Sequence, residues 1–300
     1  MGKQFQRIAV MGRHSDARVA ETMHSLLTHL AQRAVDVVAS ESLPGEFKVA
    51  RLPENQIAAT VDLIIAIGGD GTILYAARLA SDHKVPLLGI NRGRLGFLAD
   101  VTPDEMLQSV DQVLTGNYTR DSRLQLTASL RHADGSTEVA VALNDVVLQR
   151  IETGRMVDFE TRIGDHYVNT HAGDGLIIAT PTGSTAYALS CGGPIIEPGL
   201  DAIVVVPVCP HTLTDRPIVV SAAQPIDIRL LRREDTKSEI TVDGRTVSEI
   251  QPDDLLRIST APERITLIHP PGYDFYGILR SKLYWGRDSR LRYEQDSQSC

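Results

Sequence analysis

The sequence has little cysteine and no long apolar run, and each shortage excludes a class of protein. Its three cysteines, Cys191, Cys209 and Cys300, are odd in number and widely spaced, so neither a disulfide framework nor a Cys/His metal site is expected. The most apolar run, 202–208, is far too short to cross a bilayer, and residues 1–13 lack the apolar core of a signal peptide. We therefore expect a cytoplasmic protein without a membrane partner.

The charge of the chain argues against nucleic acid as a partner. Its 300 residues carry a formal net charge of -8 and contain no run of lysine and arginine. Nucleic-acid binders usually present a basic surface, although a locally positive site on an acidic protein can still bind small anions. The length fits two domains, and the apolar fraction of 42% fits a globular protein.

Strand and helix patterns alternate in the first third of the chain. Apolar runs predict four strands, at 8–11, 35–38, 61–67 and 86–90. Helical patterns follow in three segments, which begin near Asp16, Thr72 and Asp104. The run 61–67 is apolar at nearly every position, as in a strand covered on both faces of a parallel sheet. This order predicts a doubly wound α/β domain with a mostly parallel sheet at 1–122.

After about residue 123 the pattern changes to short strands separated by turn residues. Strands are predicted at 124–130, 139–148, 159–163, 177–179, 203–207, 226–230 and 265–268. Asp134-Gly135 and Gly164-Asp165 are candidates for tight hairpins, and Asp243-Gly244 is a third turn signal. We expect a β-rich domain at 123–272. The amphipathic stretch 276–291 is expected to fold back, so that a tail at about 273–292 joins the α/β domain.

A glycine-rich turn, Gly68-Gly69-Asp70-Gly71-Thr72, separates a buried strand from a helix. Its glycines let the backbone approach a ligand closely, and free N–H groups at a helix start bind anions. A carboxylate there repels phosphate, so Asp70 is expected to accept a proton from an attacking hydroxyl or to hold a metal that phosphates share. The alternative is a turn in which Asp70 only caps the helix. Neither the P-loop motif nor the GxGxxG motif occurs in the sequence.

A second cluster of glycines and small hydroxyl residues lies at 173–194. It begins with Gly173-Asp174-Gly175 and reaches Thr185-Ala186-Tyr187 and Ser190 after an apolar strand. Small hydroxyl side chains donate hydrogen bonds and leave room for a flat ring, against which Tyr187 and Phe97 are candidates to pack. The alternative is a polar crossover loop that leads into a capped helix.

Together these blocks resemble the NAD kinase family in order and approximate spacing. The resemblance covers about residues 7–283 and is carried by the blocks 68–72, 91–98, 143–145, 173–187 and 210–217. The segment 173–194 is highly specific. The GGDGT turn is less so, because 6-phosphofructokinases and diacylglycerol or sphingosine kinases carry related versions.

The resemblance implies an α/β domain followed by a β-sandwich-like domain, with the active site between them. It implies an enzyme of NADP biosynthesis that transfers the γ-phosphoryl of ATP, or a phosphoryl of polyphosphate, to the 2′-hydroxyl of the adenosine ribose of NAD. A divalent metal, which we expect to be Mg²⁺, takes part. Members are usually homodimers or homotetramers.

The resemblance also assigns the site, with Asp70 as the catalytic carboxylate. The expected substrate-binding residues are Gly68, Gly69, Gly71, Thr72, Phe97, Asn144, Asp145, Arg155, Asp174, Thr185, Ala186, Tyr187, Ser190, Asp243 and Arg245. Asn144 and Asp145 match a pair that contacts ribose and adenine, although many relatives carry Glu at the second position. Asp174 matches a residue near the nicotinamide amide. Metal ligands are not assigned.

Two departures from the family pattern bear on substrate choice. Ala172 stands where several relatives carry Arg, and Arg245 stands where many carry Gln. The first leaves open which phosphate contacts form there and whether the oxidised or the reduced dinucleotide is preferred.

Two other functions stay open at this point. A diacylglycerol-type lipid kinase would share the GGDG turn, but it is expected to have an apolar groove or a basic membrane face, and neither is visible in the sequence. A non-catalytic NAD-binding regulator would not need Asp70, and redox-sensing binders usually carry the missing dinucleotide motif.

Overall fold

The computed structural model describes residues 5–13, 15–33, 35–41, 49–93, 96–151, 156–232 and 237–285. The helices in these ranges are α1 (Ala17–Leu30), α2 (Glu54–Ile57), α3 (Asp70–Ala80), α4 (Met106–Leu114), α5 (Tyr187–Ser190) and α6 (Phe275–Leu283). Of the helices so described, none is long and apolar enough to cross a membrane.

The strands form three sheets. Strands before the second half of the chain are β1 (Arg7–Gly12), β2 (Asp36–Ser40), β3 (Ala50–Leu52), β4 (Leu63–Ile67), β5 (Leu87–Ile90), β6 (Thr119–Arg123), β7 (Leu126–Arg131), β8 (Thr137–Ala142) and β9 (Asp145–Arg150). Those that follow are β10 (Val157–Ile163), β11 (His166–Gly173), β12 (Gly175–Ala179), β13 (Ala202–Val208), β14 (Ile218–Ser221), β15 (Ile226–Leu230), β16 (Ser238–Val242), β17 (Arg245–Ile250), β18 (Leu255–Thr260) and β19 (Ile265–His269).

The first sheet has the strand order β3-β2-β1-β4-β5-β19-β6. Its neighbouring strands pair in parallel, except for the antiparallel pair β19 and β6. Helices cover both faces: Leu26 of α1 and Val110 of α4 pack on one side, and Ile57 of α2 and Ala76 of α3 on the other. This double cover explains why β4 is apolar throughout, and it confirms the predicted doubly wound α/β architecture.

The ends of two helices matter for the site. Helix α1 begins beside Asp16 as predicted, and Asp16 caps it, because its Oδ1 accepts a hydrogen bond from the Arg18 N–H at 3.1 Å. Helix α3 begins at Asp70, with Gly69 at its N-cap, and not at Thr72 as the sequence suggested. Asp70 therefore belongs to the first helical turn, and only Gly68 and Gly69 separate it from the carboxyl end of β4.

The other two sheets are antiparallel and lie face to face. Their strand orders are β11-β10-β15-β18-β7-β8 and β14-β13-β12-β9-β16-β17. Phe159 and Ile228 from one sheet meet Leu148 and Ile178 from the other in a single core, and all four side chains are fully buried. The β-rich, sandwich-like architecture is confirmed.

One predicted strand is divided in the structure, and another is present but lies in a different sheet from the one expected. The segment 139–148 is not one strand: β8 and β9 lie in different sheets, and the chain crosses between them at Leu143-Asn144. The strand at 265–268 is present, but it belongs to the first sheet, where Leu267 pairs with Leu87 of β5. It is almost entirely buried because it lies inside that sheet. The boundary drawn at 272 remains a prediction.

The turns also differ in part from expectation. Gly164-Asp165 is a two-residue hairpin, with Ile163 paired to His166. Asp134-Gly135 instead lies in a longer connection, since Arg131 pairs with Thr137, so a tight hairpin there was wrong. Asp243-Gly244 is a two-residue hairpin with φ angles of 48° and 73°. Positive φ at both positions is the requirement of a type I′ turn.

Candidate active site

The carboxylate of Asp70 is held by backbone N–H groups. Its Oδ2 accepts from Phe97 and its Oδ1 from Leu98, each at 3.0 Å. Gly96 makes this approach possible, because a Cβ there would lie 3.1 Å from Asp70 Cγ and closer still to Oδ1. The segment 96–98 therefore sets the orientation of the carboxylate at the start of α3.

The glycines of the turn have different roles. Gly68 donates its N–H to the Ile90 carbonyl at 2.8 Å, and a Cβ on it would lie 2.8 Å from Thr72 Cβ, so only glycine fits there. In the part of the chain that the structure describes, no heavy atom lies within 4 Å of a Cβ added to Gly69 or Gly71. Protein atoms therefore pack tightly against the turn at Gly68, whereas space is left beside Gly69 and Gly71, where a ligand can approach the backbone.

A cavity of about 440 Å³, the donor-side cavity, opens beside the first turn of α3. Four of the expected substrate-binding residues line it: Gly71, Thr72, Asp243 and Arg245. Residues that the sequence did not single out complete its polar lining: Arg13, Ser40, Glu54, Tyr75 and Arg78. The first and second domains both contribute to this cavity.

The unforeseen polar residues form a linked group. Glu54 accepts hydrogen bonds from the Tyr75 hydroxyl and, at 3.0 Å, from Ser40 Oγ. The Arg78 guanidinium lies 5.1 Å from the centre of the Tyr75 ring. Burial and the bond to Glu54 raise the pKa of Tyr75 to about 12, so its hydroxyl stays protonated and acts as a donor. No motif marks these positions in the sequence.

A second cavity of about 370 Å³, the acceptor-side cavity, lies against the second domain. Asn144, Asp145, Ala186 and Tyr187 line it. Leu74 and Asp243 line this cavity and the donor-side cavity alike, so the two adjoin. The structure thus brings the glycine turn, the 144–145 pair and the start of α5 to one place.

The carboxylate of Asp243 ties the hairpin tip to the 143–145 segment. It accepts backbone N–H groups from Leu143 at 2.9 Å, Asn144 at 2.7 Å and Asp145 at 3.2 Å. Asp145 is 5% exposed, and its burial, with the nearby charge of Asp243, raises its pKa to about 7. Burial also raises the pKa of Asp243, against the three N–H bonds that lower it.

The loop that follows β12 is fixed against Asn144. A Cβ on Gly183 would lie 2.8 Å from Asn144 Cα, so no side chain fits there. The hydroxyl of Thr185 donates to the Thr182 carbonyl at 3.1 Å, which holds it in the turn before Ala186. Tyr187 begins α5 and is 44% exposed, so its ring is available to a ligand.

The remaining expected residues lie around this centre or outside the described ranges. Asp174 is paired with Arg150, whose Nε lies 2.7 Å from Oδ1; the sequence did not point to Arg150. Ser190 ends α5 and is exposed. The Phe97 ring has Lys282 Nζ of α6 at 5.8 Å from its centre. Arg155 falls in 152–155, outside the described residues.

Fold and site together define a class. Two domains meet at adjoining cavities, and a carboxylate stands at a helix start with open glycines beside it. Space for two ligands, backbone N–H groups for phosphate and one acidic group are the parts that a phosphotransferase acting on a hydroxyl requires.

Comparison with known proteins identifies the family. The model for the ATP-NAD kinase N-terminal domain matches residues 8–118, and that for the C-terminal domain matches 143–270. The NAD kinase of Aromatoleum aromaticum is 41% identical over 296 residues, which are 97% of each chain. That of Psychrobacter arcticus is 43% identical over 289 residues, 94% of this chain and 89% of its own. The chain belongs to the NAD kinase family and is a phosphotransferase.

Solved structures agree on the fold. Yeast NADH kinase, solved with NADH, matches with a TM-score of 0.88 and 25% identity, over 96% of this chain and 90% of its own. The NAD kinase of Archaeoglobus fulgidus, solved with ATP, matches with a TM-score of 0.72 and 24% identity, over 93% and 97% of the two chains.

Proposed function

We propose that this chain transfers the γ-phosphoryl of ATP to the 2′-hydroxyl of the adenosine ribose of NAD, giving NADP. Membership of the family supports the reaction. The observation that carries it to these residues is the position of Asp70 in the first turn of α3, directly before Gly71, which lines the donor-side cavity, and one turn before Leu74, which lines both cavities. The donor-side cavity would take ATP and the acceptor-side cavity the adenosine of NAD.

The lining of each cavity supports this division. Arg13, Arg78 and Arg245 supply positive charge on the donor side, and free N–H groups at the start of α3 add to it. On the acceptor side, Ala186 leaves room and Tyr187 offers a ring to the adenine. Asn144 and Asp145 supply an amide and a carboxylate for the ribose hydroxyls.

Asp70 then acts as the general base. The 2′-hydroxyl is a weak nucleophile near neutral pH, and its proton passes to the Asp70 carboxylate as its oxygen bonds to phosphorus. The bond between the γ-phosphorus and the bridging oxygen breaks, and ADP leaves. The two N–H groups of Phe97 and Leu98 keep the carboxylate oriented during this step. Positioning of this kind contributes at least as much to the rate as the base itself.

The residues present fit a magnesium ion that is held mainly by phosphates. In the parts of the chain that the structure describes, no group of three His, Cys, Asp or Glu side chains forms a metal cage. Mg²⁺ is commonly bound through one or two carboxylates together with substrate phosphates, and Asp70 is the carboxylate of the phosphate turn. When bound, the ion would offset negative charge on the transferring phosphoryl.

A homodimer or homotetramer is the proposed assembly. The edge strand β14 exposes Ile218 and Val219, and Leu213, shortly before it, is 91% exposed. Apolar side chains on a sheet edge are usually covered by another element or another chain in the functional protein. Light scattering should give a mass of two or four chains.

A reducing, cytoplasmic location is supported by Cys191 and Cys209, which are free thiols.

The direct test of the proposed reaction is the formation of NADP. Purified protein is incubated with NAD, ATP and Mg²⁺, and NADP is measured with an NADP-specific dehydrogenase. We expect NADP with ATP, and parallel assays with polyphosphate and with NADH define the range of donor and acceptor. Absence of product with either donor, in protein that still binds NAD, would leave only a binding function.

The pH dependence of NAD binding should report on Asp145. Its pKa of about 7 means that the ionised form, which accepts hydrogen bonds from ribose hydroxyls, becomes populated as pH rises from 6 to 8. We expect KM for NAD to fall over that interval, by about ten-fold if one charged hydrogen bond is gained. In Asp145→Asn the KM should be higher at pH 8 and should change little with pH. A wild-type KM that is flat from pH 6 to 8 would contradict this role.

Unfolding of the same variant checks the raised pKa independently. The native state holds the Asp145 proton more tightly than the unfolded chain, so this residue lowers stability as pH rises between about 4 and about 7. Asp145→Asn should therefore be more stable than wild type at pH 8, by a few kcal/mol at most, and the difference should shrink at pH 5. Equal denaturation midpoints at both pH values would show that the pKa is not raised.

A further inference from the structure

A group of buried charged side chains lies where the first sheet meets the loop after β12. Arg123, the last residue of β6, is 2% exposed, and His269, the last residue of β19, is 1% exposed. The two strands pair antiparallel at the edge of the first sheet. None of the steps of the proposed reaction uses either residue. A buried arginine is costly unless all its N–H groups are satisfied, so its partners indicate what it does.

The partners of Arg123 come from three parts of the chain. Its Nε donates to Asp121 Oδ2 at 2.8 Å, and one terminal nitrogen lies 2.6 Å from the same oxygen. That nitrogen also donates to the Tyr273 hydroxyl at 3.1 Å. The other terminal nitrogen donates to Thr182 Oγ1 at 3.2 Å. Only the last bond crosses to the second domain.

Thr182 lies at the centre of the loop that leads to the acceptor-side cavity. Its neighbours are anchored within the second domain: Thr180 donates to the Leu143 carbonyl at 2.6 Å, and Ser184 Oγ accepts from the Ile196 N–H at 2.9 Å. The Thr182 carbonyl accepts the Thr185 hydroxyl. Thr182 thus connects the Arg123 side chain to Thr185 by two hydrogen bonds, and Thr185 directly precedes Ala186.

The same group also reaches the segment that orients Asp70. His269 Nδ1 lies 2.8 Å from Asp100 Oδ2, and its ring is stacked on Tyr273 with centroids 3.7 Å apart. Asp100 is two residues after Leu98, whose N–H binds Asp70. Arg123 therefore stands between the segment that holds the base and the loop beside the adenosine.

We propose that Arg123 is a positioning residue for NAD: through Thr182 it fixes the 180–187 loop of the second domain against the 96–100 segment of the first. This inference rests on the proposed function, because it assumes that NAD binds beside Thr185, Ala186 and Tyr187. The planar guanidinium suits the task, since one side chain bonds in fixed directions to Asp121, Tyr273 and Thr182. Lysine has a single ammonium group and cannot form hydrogen bonds to all three partners in these directions.

Thr182→Val removes the hydrogen bond that forms the link and leaves one buried Arg123 N–H without this acceptor, while the side-chain volume is kept. Valine has nearly the shape of threonine but accepts no hydrogen bond, and Arg123 keeps Asp121 and Tyr273. We expect the KM and the calorimetric Kd for NAD to rise about ten-fold, as for one lost bond to a charged group. The KM for ATP should stay within about two-fold, because the loop does not line the donor-side cavity. Thr182→Ser keeps the hydroxyl, so its KM and calorimetric Kd for NAD should stay near those of wild type.

Thr161→Val is the matched control. Thr161 is fully buried in β10, and its hydroxyl has no hydrogen-bond partner among the described residues, so the same exchange there should leave KM and Kd for NAD unchanged. Arg123→Lys should raise KM for NAD at least as much as Thr182→Val, with a melting temperature that shows it is folded.

The inference is overturned if Thr182→Val binds NAD as tightly as Thr161→Val does. It is equally overturned if Thr182→Ser is as impaired as Thr182→Val, since packing and not the hydroxyl would then explain the effect. Calorimetry measures binding without turnover, so it decides the inference even if wild type forms no NADP. Loss of the proposed function and loss of this inference therefore give different results.

Discussion

Asparagine in place of Asp70 is expected to lower kcat by about 10²–10⁴-fold, the usual contribution of a general base. Asparagine has the same shape, but its amide group takes up no proton from the 2′-hydroxyl. One of its two terminal atoms still accepts a backbone N–H from the 97–98 segment, and the other faces a second N–H as a donor. The KM for NAD should change far less than kcat, since the acceptor-side cavity is lined by other residues.

Asp62→Asn is the control for the structural part of that change. Asp62 Oδ2 also accepts two backbone N–H groups, from Gln6 at 3.1 Å and Arg7 at 3.2 Å, at the other end of the first sheet. In Asp62→Asn the amide oxygen can take the place of Oδ2 and accept both N–H groups, so this variant should lose less stability than Asp70→Asn, for which we expect a loss of about 1–3 kcal/mol. Only Asp70→Asn should lose turnover. If Asp70→Asn kept near-full kcat, the carboxylate would be a helix cap and not the base.

The first domain could be predicted because its signals are local. A continuous apolar run such as 63–67 suits a strand that is covered on both faces, and in this sheet helices cover both faces. The strands that were missed are at the two edges of that sheet. β3 has three residues, and β6 reads Thr-Arg-Asp-Ser-Arg, with its polar side chains largely exposed. An edge strand needs no apolar pattern, so composition does not mark it.

The errors in the second domain concern both the presence of strands and their partners, since β11, β14, β16, β17 and β18 were not among the predicted strands. The apolar pattern continues through Leu143, so nothing in 139–148 shows that the chain leaves one sheet at Ala142 and enters the other at Asp145. Likewise the pattern at 265–268 indicates a strand without saying which sheet it joins. Its pairing with β5, about 180 residues earlier, depends on tertiary contacts, which the hydrophobic periodicity of the strand does not encode.

The same distinction applies to the site. Gly68–Thr72 and the 173–190 block stand out in the sequence because several contiguous residues in each form one motif. Glu54, Tyr75, Arg123 and Arg150 were not, since a single charged or hydroxyl residue in a helix or strand looks like part of a solvated face. Their roles come from partners far away in sequence: Arg123 meets Thr182 across 59 positions and Tyr273 across 150. Only the fold brings these together.

Gly96→Ala should lower kcat strongly although it replaces no group that takes part in the reaction. The new methyl would lie 3.1 Å from Asp70 Cγ and closer to Oδ1, so the carboxylate must leave the N–H groups of Phe97 and Leu98. Displacement of a catalytic group by about 1 Å can cost about 10²-fold in rate, and we expect a loss of that order in kcat at near-normal KM for ATP.

Gly199→Ala separates this effect from the general cost of replacing glycine. A Cβ added at Gly199 meets none of the atoms that the structure describes within 4 Å, so kcat should be unchanged there, while both variants should melt cooperatively. In Gly96→Ala,Asp70→Asn the two losses should be far from additive, because a base that is already absent cannot be displaced. If Gly96→Ala kept wild-type kcat, or if the losses simply multiplied, the 96–98 segment would not be what orients Asp70.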